Sequence, residues 1–245
     1  VRDISDRKQI EAELSWNSRQ VDIISQAQSA FIANTDPRAA FDTLLAGLLE
    51  LTESEYGFIG EVLYRVENVP YLRTQAITNI AWDQATRDFY AEHAPKGLEF
   101  TNLDTLFGNA LKSGRPVIAN DPANDERSGG TPPGHPPLLA FMAIPLYAGS
   151  QLVGLVGIAN REAGYDAKLI EAFSPFTNTC ANLIVEHRNE QQRILAEGRV
   201  KDNEQRLRAV LDHVLESIIT IDRNGIMQSV NPSSEQIFGY QADEM

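Results

Sequence analysis

Leu152-Val153-Gly154-Leu155-Val156-Gly157-Ile158-Ala159-Asn160 is apolar or glycine at every position but the last. No alternation separates a wet face from a dry one, so the run reads as a central strand buried on both sides. Upstream, Phe141 to Tyr147 is a second apolar strand, and Ala148-Gly149-Ser150-Gln151 supplies the turn between them.

Further upstream, Phe58 to Tyr64 and Tyr71 to Thr78 flank Glu67-Asn68-Val69-Pro70 and are expected to pair as a hairpin. Trp82 to His93 and Leu103 to Lys112 read as helices, the second closed by Ser113-Gly114 before a short strand at Pro116 to Ala119. The loop from Asn120 to Pro137 holds five prolines and three glycines. It is longer than most structureless connections, which makes it a candidate functional loop.

Helices bracket this sheet. Apolar residues at Ile10, Leu14, Val21, Ile24 and Phe31 fit a and d positions of a partner-facing seam. Val21 to Phe31 is expected to pack on its own domain, whereas Ile10 to Asn17 has no obvious partner within it. Asp36-Pro37 ends that helix, and Phe41, Leu44, Leu45, Leu48, Leu49 and Leu51 mark the next. Ser174-Pro175 reads as a cap with proline at the first helical position, opening a helix from Phe176 to about Leu215, roughly 60 Å long. Cys180, Leu183 or Ile184, His187 and Ile194 set one seam on it, and Val200, Leu207, Leu211, Val214 and Ile218 another. The step between them shifts register beside Gly198, as a hinge or as a boundary between packing partners.

Composition narrows the function. The chain has 245 residues, 42% hydrophobic, a net charge of -13 and one cysteine, Cys180. The acidic balance disfavours nucleic acid and anionic membrane surfaces. The longest apolar run, Leu152 to Ala159, is too short to cross a bilayer, and no signal segment opens the chain, so a cytoplasmic location without membrane insertion is expected. A single cysteine rules out an internal disulfide and a two-cysteine redox cycle. With Val1 in place of Met and the chain stopping at Met245, a fragment of a longer protein is expected.

The order of elements resembles a GAF domain over residues 20–187. The resemblance is carried by Glu55-Tyr56-Gly57-Phe58-Ile59-Gly60, Gly114-Arg115-Pro116-Val117, Ile144-Pro145-Leu146 and Leu152 to Asn160. Thr78-Asn79-Ile80-Ala81-Trp82-Asp83 and the loop from Asn120-Asp121-Pro122 to Gly134-His135-Pro136-Pro137 are similar to a bacterial subgroup. Asp3-Ile4-Ser5 with Arg7-Lys8 resembles the last strand and exit helix of a PAS domain (residues 1–19). Leu211-Asp212-His213, Ile218 to Asp222, Gly225-Ile226, Asn231-Pro232 and Phe238-Gly239-Tyr240 resemble the opening of another PAS domain (207–245), with a linker helix at 188–206. The implied fold is α+β, an α/β/α sandwich on a central antiparallel sheet, flanked by coiled-coil-like signalling helices and a partial PAS domain.

Such folds host sensing, photoreception and catalysis, so function is argued from the site. Cys180 lies in the exit helix and is followed by Ala181, which disfavours a covalent bilin. Leu169-Ile170 stands where the cyclic-nucleotide type carries an acidic pair. The remaining constellation is Asn79, Trp82 and Asp83 after the second strand, with Phe100, Asn120, Asp121, Asp125, Arg127 and His135. Trp82 and Phe100 are candidate walls, Arg127 a charge clamp, and Asn79 and Asn120 hydrogen-bonding groups for a polar or zwitterionic small molecule. Against this, Asn and Asp beside Pro and Gly also simply make turns, and Arg127 could do no more than pair with Asp125 or Glu126. His135 has no second histidine or cysteine nearby, so metal or haem ligation is disfavoured, and no cofactor is expected. The reading is a non-catalytic sensory segment of a bacterial signalling protein, homodimeric through its linker helices, with a histidine kinase as output. The alternatives are a diguanylate cyclase or phosphodiesterase output, or a dimerisation spacer that binds nothing.

Overall fold

The computed structural model describes the chain apart from residues 1, 34–36, 67, 80–83, 94–95, 132–134, 242–243 and 245. It divides into two compact units, Val1–His187 and Arg188–Met245.

In the first unit, α1 (Arg2–Ile32) and α2 (Pro37–Thr52) precede the hairpin β1 (Tyr56–Tyr64) and β2 (Pro70–Ile77). Then come α3 (Gln84–His93), β3 (Glu99–Phe100), α4 (Leu106–Ser113), β4 (Val117–Ala119), the hairpin β5 (Phe141–Ala148) and β6 (Gln151–Ala159), and α5 (Ala167–Ala172). The six strands form one antiparallel sheet in the order β3-β2-β1-β6-β5-β4. β6, apolar on both faces, is central as expected. Pro145 sits in β5 beyond the stretch that β4 pairs with, Phe141 to Ala143, so its missing N–H leaves no gap on that side of the ladder.

Alternation along the strands separates two cores. Ile59, Ala76, Met142, Ile144, Val156 and Ile158 face α1, α2 and the start of α6 (Ser174–His213), meeting Ala27, Phe41, Leu44, Leu48, Phe176, Cys180 and Ile184. Phe58, Leu72, Val117, Phe141 and Leu155 face the other way, onto Leu106, Ala110 and Leu111 of α4. α4 begins where the Thr105 side chain accepts from the Gly108 amide and ends at Gly114, whose φ of 65° suits glycine.

The structure corrects two readings and adds one element. Asp3-Ile4-Ser5 lies inside α1, not in a strand; a strand needs a neighbour for its backbone bonds, and among the described residues none lies beside it. The packed stripe of α1 is Trp16, Ile23, Ile24, Ala27 and Phe31, while Val21 is 63% exposed. A globular face follows the 3.6-residue period and not a strict heptad. β3 was not anticipated, since two residues carry no periodicity. α6 runs unbroken through Gly198, in keeping with the single helix expected there, and the register step falls within it.

In the second unit, α6 leads to the hairpin β7 (Ile219–Ile221) and β8 (Met227–Val230) and to α7 (Pro232–Phe238), capped by Asn231 and closed at Gly239.

Candidate functional site

Strand direction brings most of the anticipated residues to one end of the sheet. Ala119 pairs with Phe141, Phe141 with Ala159, Ala159 with Tyr56, and Phe58 with Ile77. Asn79, Asn120 and Asp121 therefore all follow strands that finish at this end. Their separation across the sheet is large: β2 and β4 lie four strand spacings apart, about 19 Å, more than one small molecule contacts directly. Trp82 and Asp83 lie outside the described residues.

At the β4 side the polar groups are engaged with the protein itself. Asn120 holds both backbone groups of Tyr165, its Nδ2 donating to Tyr165 O (3.0 Å) and its Oδ1 accepting from Tyr165 N (2.8 Å). Asp121 accepts from Asn124 Nδ2 at 2.7 Å. Arg127 donates twice to the Asp125 carboxylate (2.9 and 2.6 Å), and it also donates to the Ile118 carbonyl at 2.9 Å. Ile118 is on β4, the edge strand, so Arg127 caps a carbonyl there. The Arg127 hydrogen bond is the main cause that pulls the Asp125 carboxyl down to about 2.

The other end of the long loop is latched to β1 and β6. Asn160, with a left-handed φ of 62°, accepts from Leu139 N (2.8 Å) and donates to Glu55 Oε2 (2.8 Å) and Pro137 O (3.0 Å). Asn tolerates this backbone region better than most residues. Tyr56 also donates to Pro137 O, at 2.9 Å, and burial raises its hydroxyl pKa, keeping the donor protonated. His135 stands edge-on to the Tyr56 ring at 5.9 Å between centroids. Its Nδ1 lies 2.7 Å from Pro136 O, a contact that places the proton on that nitrogen.

Phe100, on β3, joins Phe58 and Phe107 in an aromatic triangle with centroids 5.5 to 6.1 Å apart. It packs, with Leu138, on the core that includes Phe141. Among the described residues no group of three or more His, Cys, Asp and Glu side chains could hold a metal ion.

Sequence reasoning missed the residues that carry the loop. Ser54 and the Tyr165 hydroxyl share a hydrogen bond of 2.7 Å, and Thr52 donates to Ser54 at 2.8 Å, tying the end of α2 to the segment Asn120 holds. Burial pushes the Tyr165 phenol up to about 12. A polar residue directly after an all-apolar strand was the available signal for Asn160; Tyr165, near the aromatic position of the cyclic-nucleotide signature, carried no signal for holding the loop.

A GAF domain family model, of the type GAF_2, matches residues 34–185. The chain belongs to the GAF domain family, whose members are commonly sensory modules. It is 27% identical over 106 residues to the methyl sulfide methyltransferase-associated sensor of Methanosarcina acetivorans, a match covering 43% of this chain and 11% of that protein. The chain thus spans only about a tenth of that relative's length. Among solved structures it is similar to the GAF domain of a phosphoenolpyruvate-protein phosphotransferase from Coxiella burnetii (TM-score 0.56, 14% identity, covering 71% of this chain and 98% of that one). It is also similar to the free methionine-R-sulfoxide reductase of Neisseria meningitidis (TM-score 0.51, 12% identity, covering 70% and 91%). The fold is therefore shared with at least one enzyme.

Proposed function

We propose that this chain is the sensory segment of a signal-transduction protein, in which the GAF unit takes a small ligand at the end of the sheet closed by the 120–137 loop. α1 and α6, each paired with its copy in a second subunit, pass the change to an output, for which a histidine kinase is our reading. One observation carries it. α1 and the start of α6 pack beneath the same sheet face, and α1 is tied to the α5–α6 junction, where Trp16 lies edge-on to Phe173 at 5.1 Å and Gln20 donates to Ala172 O at 3.1 Å. Beyond these contacts, Ile10, Leu14, Ile194, Val200, Leu207 and Leu211 stay exposed on the two helices. The resemblance to a sensor supports the same reading. A ligand drives such a relay only if its affinity differs between two helix arrangements.

We assign no catalysis to this segment. A nucleophilic thiol needs access and a lowered pKa, whereas Cys180 is fully buried and desolvation pushes its thiol upward. Among the described residues no helix is long and apolar enough to cross a membrane.

The spacer reading keeps one specific observation in its favour: Asn120, Asp121 and Arg127 are engaged in holding the loop, and Phe100 and Leu138 pack on the core. A thermal-shift screen of polar metabolites separates the two. A ligand bound only to the folded state at a hundred times its dissociation constant adds about 2.7 kcal/mol. A hit that disappears in Arg127→Ala or in Trp82→Ala supports sensing. A screen without hits leaves the spacer, whereas hits indifferent to both substitutions remove this site.

A further inference from the structure

The second unit contains a hydrogen-bond hub that serves neither the loop nor the sheet of the first. Helix α6 ends at His213, and the last carbonyls of any helix lack partners inside it. Asn231, only 4% exposed, supplies one of them, at Leu211, and also serves the turn that follows the helix. Its Nδ2 donates to Glu216 O (3.0 Å) and to Leu211 O (3.2 Å). Val214 O lies farther away, at 3.5 Å, and takes a hydrogen bond from the Ser233 hydroxyl. The other half of the same amide faces the hairpin and α7. Oδ1 accepts from Ile218 N (2.9 Å), Ser234 N (3.1 Å) and Ser234 Oγ (2.7 Å), and the Asn231 backbone N–H donates to Ile218 O at 3.0 Å.

An N-cap on α7 requires only an acceptor, which serine, threonine or aspartate would also provide. The two donors aimed at the exit of α6 are additional, and of these side chains only asparagine combines them with the cap. We infer that Asn231 is the positioning residue that couples the end of α6 to the β7–β8 hairpin and α7, so that a displacement of the helix end is carried into the hairpin and α7 instead of being lost in the connecting turn. The inference rests on the reading of α6 as the relay.

Hydrogen–deuterium exchange on the full 245-residue chain tests it. Asn231→Ser keeps a capping oxygen for α7 but removes the two donors. Amides of residues 210–219 should then exchange about tenfold faster, with residues 232–238 changed less than twofold. Unaltered exchange over 210–219 overturns the proposal, and so does equal acceleration of 232–238, which would make Asn231 a plain cap. If Asn231→Ser does not fold, Ser233→Ala decides: it leaves the α7 cap intact and should speed exchange over 210–216 alone, and no change there overturns the coupling. Failure of the relay reading is separate. A chain that stays monomeric yet shows this exchange pattern keeps the latch and loses the relay.

Discussion

Asp125 and Arg127 show how one ion pair decides what a loop can offer a ligand. The Arg127 guanidinium divides its donors between a carboxylate and an edge-strand carbonyl, so a ligand that recruits it must compete with both. The Asp125 carboxyl sits at about 2 instead of 3.8. A carboxyl with a depressed folded pKa stabilises the fold above its ordinary value, and that contribution is lost as pH falls from about 4 through about 2. Asp125→Asn should therefore melt below the parent chain near neutral pH, with the difference vanishing towards pH 2 in a thermal-melt pH series. The difference should be small and shrink with salt, since the Arg127 side chain is 39% exposed. Asn160 is the costlier position. Asn160→Ala removes three side-chain hydrogen bonds and leaves an alanine at positive φ, so urea unfolding should show a loss of about 2–3 kcal/mol. Asn160→Gly should lose less, because glycine accepts that backbone freely.

At the scale of elements, the helices are better defined than their partners. The start of α6 is fixed by core residues Phe176, Cys180 and Ile184, but from Gln191 to Leu211 the helix is exposed at every position. An exposed helix of that kind leans on intrinsic propensity and on pairs such as Arg193 with Glu190 and Glu197. Gly198 is its weak point, and an added Cβ there meets nothing within 4 Å. Gly198→Ala should stabilise the helix by about 1 kcal/mol, read as a gain in far-ultraviolet helical signal on heating. A chain in which this substitution abolishes signalling while stabilising α6 would mark the glycine as a flexible joint after all.

For the whole molecule, the apolar positions left open on α1 and α6 bear on association. Leu207 and Leu211 are 63% and 39% exposed. In the proposed parallel homodimer they are covered by the second subunit, and burying each leucine contributes on the order of 1.5–3 kcal/mol. Multi-angle light scattering should find a dimer at high micromolar concentration. Leu207→Gln with Leu211→Gln should shift it towards monomer while the circular dichroism and melting of the GAF unit stay unchanged. A parent chain that is monomeric throughout removes the dimeric relay.

What was legible in the residues alone was whatever is encoded locally. The all-apolar run at Leu152 to Ala159, the glycine closing α4, the Ser174-Pro175 helix start and the hairpin turns each need only a few neighbouring residues, and each appears in place. The end of the sheet at which the 120–137 loop gathers was also within reach, because strand order and direction follow from the family resemblance. The employment of its polar side chains was not. Asn120 is satisfied by Tyr165, 45 residues away, and Asn160 by Glu55, 105 residues away. A side-chain amide reads the same in sequence whether it faces a ligand or a backbone. Only the folded chain, which brings distant carbonyls and amides within about 3 Å, decides which of them it serves.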